Sequence, residues 1–144
     1  MHSLVPASFA AFALGVAMTA LPAVAETAGA ANTAGGTGWI LVSVGGAAAR
    51  PGGRIVFSAD GTVFGTTGCN HFNGTAVSAP GTVVFKPPLA TTMMLCPEPM
   101  DAQETRVLEA LDGTVAVAYD PAHDQMTLIP GNGASELGFV RFTE

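Results

Sequence analysis

The sequence is poor in charge. Only 11% of its 144 residues are Asp, Glu, Lys or Arg, and five basic side chains face eleven acidic ones. The basic five, Arg50, Arg54, Lys86, Arg106 and Arg141, are scattered, and the net charge is −6. Nucleic acid is excluded as a partner on these grounds, because neutralising phosphates takes clustered Lys and Arg. Aromatic residues are few as well: one Trp, one Tyr and eight Phe. There is no C-x-x-C, Walker loop, GxGxxG, HExxH or serine elbow, so the chemistries those motifs carry have no foothold. Heptad, collagen and solenoid periods are missing too. What remains is a chain that is 49% apolar, with enough Val, Leu, Ile and Phe to rule out a disordered acidic tail. Its length limits it to one domain.

Residues 1–25 hold no charged side chain, and Phe9–Leu21 is an apolar run of 13 residues. That is the length of a signal-peptide core and short for a span of about 30 Å of hydrocarbon. Pro22 ends the run, and Ala23-Val24-Ala25 supplies the small-x-small pattern of a cleavage site. The expectation is a signal peptide over 1–25, a flexible leader over 26–37 and a folded domain over 38–144. Contact with the membrane is then transient, and the protein is periplasmic or secreted. Export changes how the two cysteines read: in an oxidising compartment, Cys69 and Cys96 are most simply a disulfide.

From Trp39 onward, short apolar runs alternate with turn residues. Strands are expected at Trp39–Val44, Arg54–Ser58, Thr62–Thr66, Phe72–Val77, Thr82–Lys86, Thr114–Tyr119, Gln125–Ile129 and Glu136–Phe142. Asp60-Gly61 between two β-rich runs is a hairpin signal, since its central residues favour positive φ. Pro87–Pro99 carries four prolines and is expected to be irregular. One helix is expected, Pro99–Leu111, with Met100, Val107, Leu108 and Leu111 as its apolar stripe. The pattern implies a mainly β (α+β) fold: a curled antiparallel sheet or small barrel of seven to eight strands, plugged by that helix.

Four segments carry a family resemblance. Trp39-Ile40-Leu41 opens the domain. Gly68-Cys69-Asn70-His71-Phe72-Asn73-Gly74 follows, then Thr92-Met93-Met94-Leu95-Cys96, then a helix bearing Met100, Glu104, Leu108 and Leu111. Together they resemble the META-domain family, the heat-shock-inducible HslJ-like proteins of bacterial envelopes. The resemblance implies a cracked β-barrel with one packed helix, similar in outline to secretion pilot proteins. It also implies structural roles for Trp39, Gly68, Asn70, Phe72, Gly74, Thr92 and Glu104. It brings no enzyme activity and no cofactor, and its links are to envelope stress and drug tolerance.

The residues themselves leave sharper readings open. Cys69 and His71 are two apart, the spacing of one strand face, and a thiolate–imidazolium pair is a means of activating a nucleophile. No third group is in view to orient it. Cys69, His71, Met93, Met94, Cys96, Met100 and His123 are soft or borderline metal ligands that reduced thiols could complete for copper or zinc. The carboxylates, Glu104 and Glu109 on the helix and Asp120, Asp124 and Glu136 near turns, read as solvated surface. The expectation is therefore a monomer that is not an enzyme. It serves either as an interaction module for another envelope protein or as a carrier of a lipid or other apolar ligand between helix and sheet.

Overall fold

A computed structural model describes residues 37–142. The expected signal peptide and the leader up to residue 36 lie outside that span. In chain order the elements are β1 (Thr37–Val44), β2 (Ala47–Ala48), β3 (Gly53–Phe57), β4 (Thr62–Thr67), β5 (His71–Ala79) and β6 (Thr82–Thr91). Then come α1 (Met100–Ala110), β7 (Gly113–Asp120), β8 (Gln125–Pro130) and β9 (Leu137–Arg141). Thr37, assigned to the leader by sequence, already pairs with Phe57 as the first residue of β1.

Every strand pairs antiparallel with its neighbours in the order β2-β1-β3-β4-β5-β6-β7-β8-β9, and β1 also pairs with β9. That last pairing, Trp39 opposite Arg141 through Val44 opposite Leu137, closes an eight-stranded barrel with β2 appended outside the ring. Among the described residues closure covers most strand edges, and the second half of β6 is left unpaired on its β7 side.

The period-2 patterns explain the sidedness. Trp39 and Leu41 on β1, Ile55 and Phe57 on β3, and Val83 and Phe85 on β6 point inward and are buried, as are Met126, Leu128, Leu137 and Phe139. The barrel interior is a packed core. Between β3 and β4 the turn uses Gly61 at φ 87°, while Asp60 keeps negative φ and its Oδ1 accepts the Thr62 N–H at 2.8 Å. The Asp-Gly pair thus turns the chain with one positive φ where two were expected.

The prolines of 87–99 behave differently from the sequence expectation, because β6 runs straight through Pro87 and Pro88 to Thr91. Two features make room for them. The β5 partner shifts register between Asn73 and Thr75, so Pro87–Leu89 bulge opposite Gly74. On its other side β6 pairs with β7 only over Thr82–Phe85, so Pro87 and Pro88 withhold no ladder hydrogen bond there. Residues 92–99 are irregular, as the prolines require.

Helix α1 packs on β1, β4 and β8 and stops one end of the barrel. Its buried face is Gln103, Val107 and Ala110, continued by Leu111 just past its end. Leu108 is half-buried on the flank and Met100 is half-buried at the start. The apolar stripe is therefore rotated from the expected one, with a polar residue at its centre. Gln103 is held there because its amide is used fully: Oε1 accepts the Arg50 N–H at 2.6 Å, and Nε2 donates to Thr67 O at 2.8 Å and Arg50 O at 3.3 Å.

The opposite mouth is closed by side chains. Trp39 is buried, with the Arg141 guanidinium carbon 4.7 Å from its ring centre and the Tyr119 ring edge-on at 5.9 Å. Arg141 Nε donates to both Asp124 oxygens, at 2.7 and 2.9 Å, and Tyr119 OH donates to Asp124 at 2.6 Å. The Tyr119 hydroxyl and then Arg141 hold the Asp124 carboxyl below its ordinary range, and Asp124 in turn raises Arg141. Asp124 is thus an ion-pair partner and not the free turn carboxylate expected.

Candidate functional site

Of the residues singled out by sequence, Gly68, Cys69, Asn70, Thr92, Cys96 and Glu104 gather beside α1, where the β4–β5 turn meets the 92–99 segment, while Trp39 sits at the opposite mouth. Gly68 takes φ 107°, which favours glycine, and a Cβ there would displace the tip of Met100 at 2.6 Å and press on Pro51 O at 3.2 Å. Immediately after it, Cys69 is bonded to Cys96 with Cα atoms 6.1 Å apart. Gly74 serves another purpose: a Cβ there would lie 2.5 Å from Leu89 Cδ2, so its bare backbone receives the bulge of β6. Phe72, buried on β5, belongs to the barrel core.

Asn70 is the centre of the arrangement and is 2% exposed. Its Nδ2 donates to Met94 O at 3.0 Å and to the Glu104 oxygens at 2.9 and 3.0 Å. Its Oδ1 accepts the Met94 N–H at 2.7 Å and the Thr92 hydroxyl at 2.8 Å. Thr92 also receives the His71 N–H on its hydroxyl at 2.9 Å and donates its own N–H to His71 O at 2.9 Å. One buried amide thus fixes both polar backbone groups of Met94.

Glu104 departs from the solvated role expected of the helix carboxylates. It is half-buried and accepts from Asn70 Nδ2, from the Thr67 hydroxyl at 3.0 Å and from the Asn70 N–H at 3.3 Å. Charge-assisted bonds of this kind are the stronger ones. The sequence misses this because Asn70 lies 34 positions upstream. Helix α1 turns Glu104 toward the β4–β5 turn while Glu109 stays exposed.

The consequence for residues 93–95 is unusual. Met93 and Leu95 are 94% and 99% exposed and Met94 is 55% exposed, yet the Met94 backbone between them is tied to Asn70 and the disulfide follows at Cys96. A loop pinned at its middle residue displays three large apolar side chains to solvent.

Its chemistry as a metal or catalytic site is limited. Cys69 Sγ, Cys96 Sγ and a Glu104 oxygen lie within 4.8 Å of one another. With the sulfurs bonded to each other, that set offers a single carboxylate ligand, and Cys69 holds no thiolate for His71 to activate. His123 is not brought to this group: it sits in the β7–β8 turn with Nδ1 2.6 Å from Asp120 Oδ2.

Comparison with known proteins adds the following. A family model described as META domain matches residues 31–141. A solved NMR structure of a protein from Burkholderia xenovorans is similar in fold, with a TM-score of 0.64 and 22% sequence identity over 97% of this chain and 100% of that one. Among curated proteins, none matches.

Proposed function

The chain belongs to the META domain family, and on that premise we propose that it is a non-enzymatic interaction module of the bacterial envelope with a stress- or drug-tolerance role. It is exported, works as a periplasmic or secreted monomer, and presents Met93-Met94-Leu95 to an apolar groove on a partner protein. One observation carries this reading: two side chains more than nine-tenths exposed flank Met94, whose backbone N–H and carbonyl are both held by Asn70, close before the disulfide at Cys96. Binding through such a loop surrenders little chain entropy, and its apolar tips gain most from leaving water. The Cys69–Cys96 bond is consistent with an oxidising compartment.

The carrier reading keeps one support. Between α1 and the second half of β6 runs a groove of about 510 Å³ with Leu89, Leu108 and Leu111 among its lining residues. It is open to solvent, and the barrel interior is filled by a cluster of buried apolar side chains, so the loop is favoured.

A photo-crosslinking residue at position 95, in protein expressed in its own envelope, decides the matter. The expected result is one discrete protein adduct, lost in the Met93→Asp variant, together with loss of stress tolerance in Met93→Asp/Leu95→Asp at normal abundance. No protein adduct, with a fully active double variant, overturns the proposal. If native mass spectrometry then finds a lipid-sized ligand that Leu108→Asp releases, the carrier replaces the module.

A further inference from the structure

The outer wall of the barrel carries a concavity unrelated to the loop. Gly38, Val56 and Phe64 stand side by side in register on β1, β3 and β4, and Arg54, Thr66 and His71 form the next row on β3, β4 and β5. Phe142, just past β9, is docked over β1 by its N–H, which donates to Gly38 O at 2.8 Å. Together they enclose a pocket of about 280 Å³, walled by Val56, Phe64 and Phe142 and with Arg54 and His71 in its lining. Phe64 and Phe142 are each 43% exposed, two large apolar residues meeting at one place on the outer wall.

Two features give the pocket a chemistry. The first is space reserved by Gly38: a Cβ there would sit 3.5 Å from Phe142 Cβ and 3.7 Å from Val56 Cγ2, so any larger side chain would grow between the walls. The second is charge. Arg54 is exposed, and no hydrogen bond or ion pair engages its side chain among the described residues, whereas Arg141 is consumed by Asp124. In a chain of net charge −6, an exposed Arg54 in the lining of a pocket shared with Phe64 and Phe142 is complementary to one anionic group on an aromatic body.

We propose that this pocket binds a small aryl carboxylate, its ring between Phe64 and Phe142 and its carboxylate on the Arg54 guanidinium, with the His71 imidazole as a second polar contact. The volume lies just under the range of roughly 300–1,000 Å³ typical of drug-sized ligands, which fits one ring with a short acid arm and is too small for an acyl chain. A ligand with several negative charges would be repelled by the acidic surface.

The test is titration of the full-length, isotope-labelled protein with 3-phenylpropionate, followed by amide NMR shifts, with neutral 3-phenylpropanamide as control. Saturable shifts centred on Gly38, Gly65 and His71 are expected below roughly 10 mM, with the amide at least about tenfold weaker. Arg54→Gln, an exposed substitution, is expected to weaken the acid by about tenfold and leave the amide unchanged. Gly38→Val is expected to abolish both while the remaining amide spectrum is preserved. Equal binding of acid by wild type and Arg54→Gln, shifts centred elsewhere, or no saturable shift overturns the proposal.

Discussion

Asn70 is the residue on which the most depends. Every polar atom of its side chain is engaged, and Ala in its place takes the partner from the Met94 N–H and the Met94 carbonyl, the acceptor from the Thr92 hydroxyl, and one of three donors from the Glu104 carboxylate. Asn70→Ala is expected to cost about 3 kcal/mol in urea denaturation, against about 1 kcal/mol for Thr92→Val, which removes one donor to Asn70 and one acceptor for His71. At the far mouth, Asp124 has a pKa lowered by the Tyr119 hydroxyl and Arg141. A carboxyl lowered in the folded state adds stability above its unfolded pKa and loses it as pH falls through the folded one. The melting temperature of the wild type should therefore drop more steeply below about pH 4 than that of Asp124→Asn, which should start lower at neutral pH. Parallel curves would show that the ion pair does not contribute. Motif resemblance places Asn70, Thr92 and Glu104 as structural residues, but not their partners, because these contacts join segments 21 to 37 positions apart.

Helix α1 shows where element-level reading works and where it slips. Its existence is legible in Pro99, in Asp101 and Glu104 near its start and in its apolar spacing, yet its phase is not, because Gln103 occupies the buried face. Apolar periodicity skips a polar residue, and its burial is compensated by the Arg50 N–H and the carbonyls of Arg50 and Thr67. Thermal and urea unfolding can check the corrected phase. Leu111→Ala should cost about 3 kcal/mol, half-buried Leu108→Ala about 1, and exposed Glu109→Ala under about 0.5. Equal losses at 108 and 111 would restore the original stripe. The strands were legible wherever inward and outward residues alternate, as in Arg54–Phe57 or Val115–Tyr119. They were not at Ala47–Ala48, where two small residues carry no period, or in the Pro87–Thr91 half of β6, whose bulge depends on Gly74 thirteen positions upstream of Pro87.

For the molecule as a whole, antiparallel hairpins were foreseeable and closure was not, since nothing local in Trp39–Val44 announces Leu137–Arg141 as its neighbour. The disulfide adds a second long-range tie, across 27 positions. Cys69→Ser/Cys96→Ser should lower stability by roughly 3–4 kcal/mol through the freed unfolded chain. A chain ending at Glu136 should fare worse, because it bares the edges of β1 and β8 and removes buried Leu137 and Phe139. It should show no near-ultraviolet signal from Trp39 and should aggregate; a native-like spectrum would mean the barrel holds without its last strand. Closure has a mechanical corollary. Because β1 and β9 run antiparallel, Thr37 and Phe142 emerge together at the same end of the seam, with the Phe142 N–H bonded to Gly38 O. A force applied between the two termini is therefore directed across the strand pair rather than along it. The seam is loaded like a zipper, one ladder bond at a time from the Trp39–Arg141 end, so a barrel that resists heat as one unit should open under a weak pull.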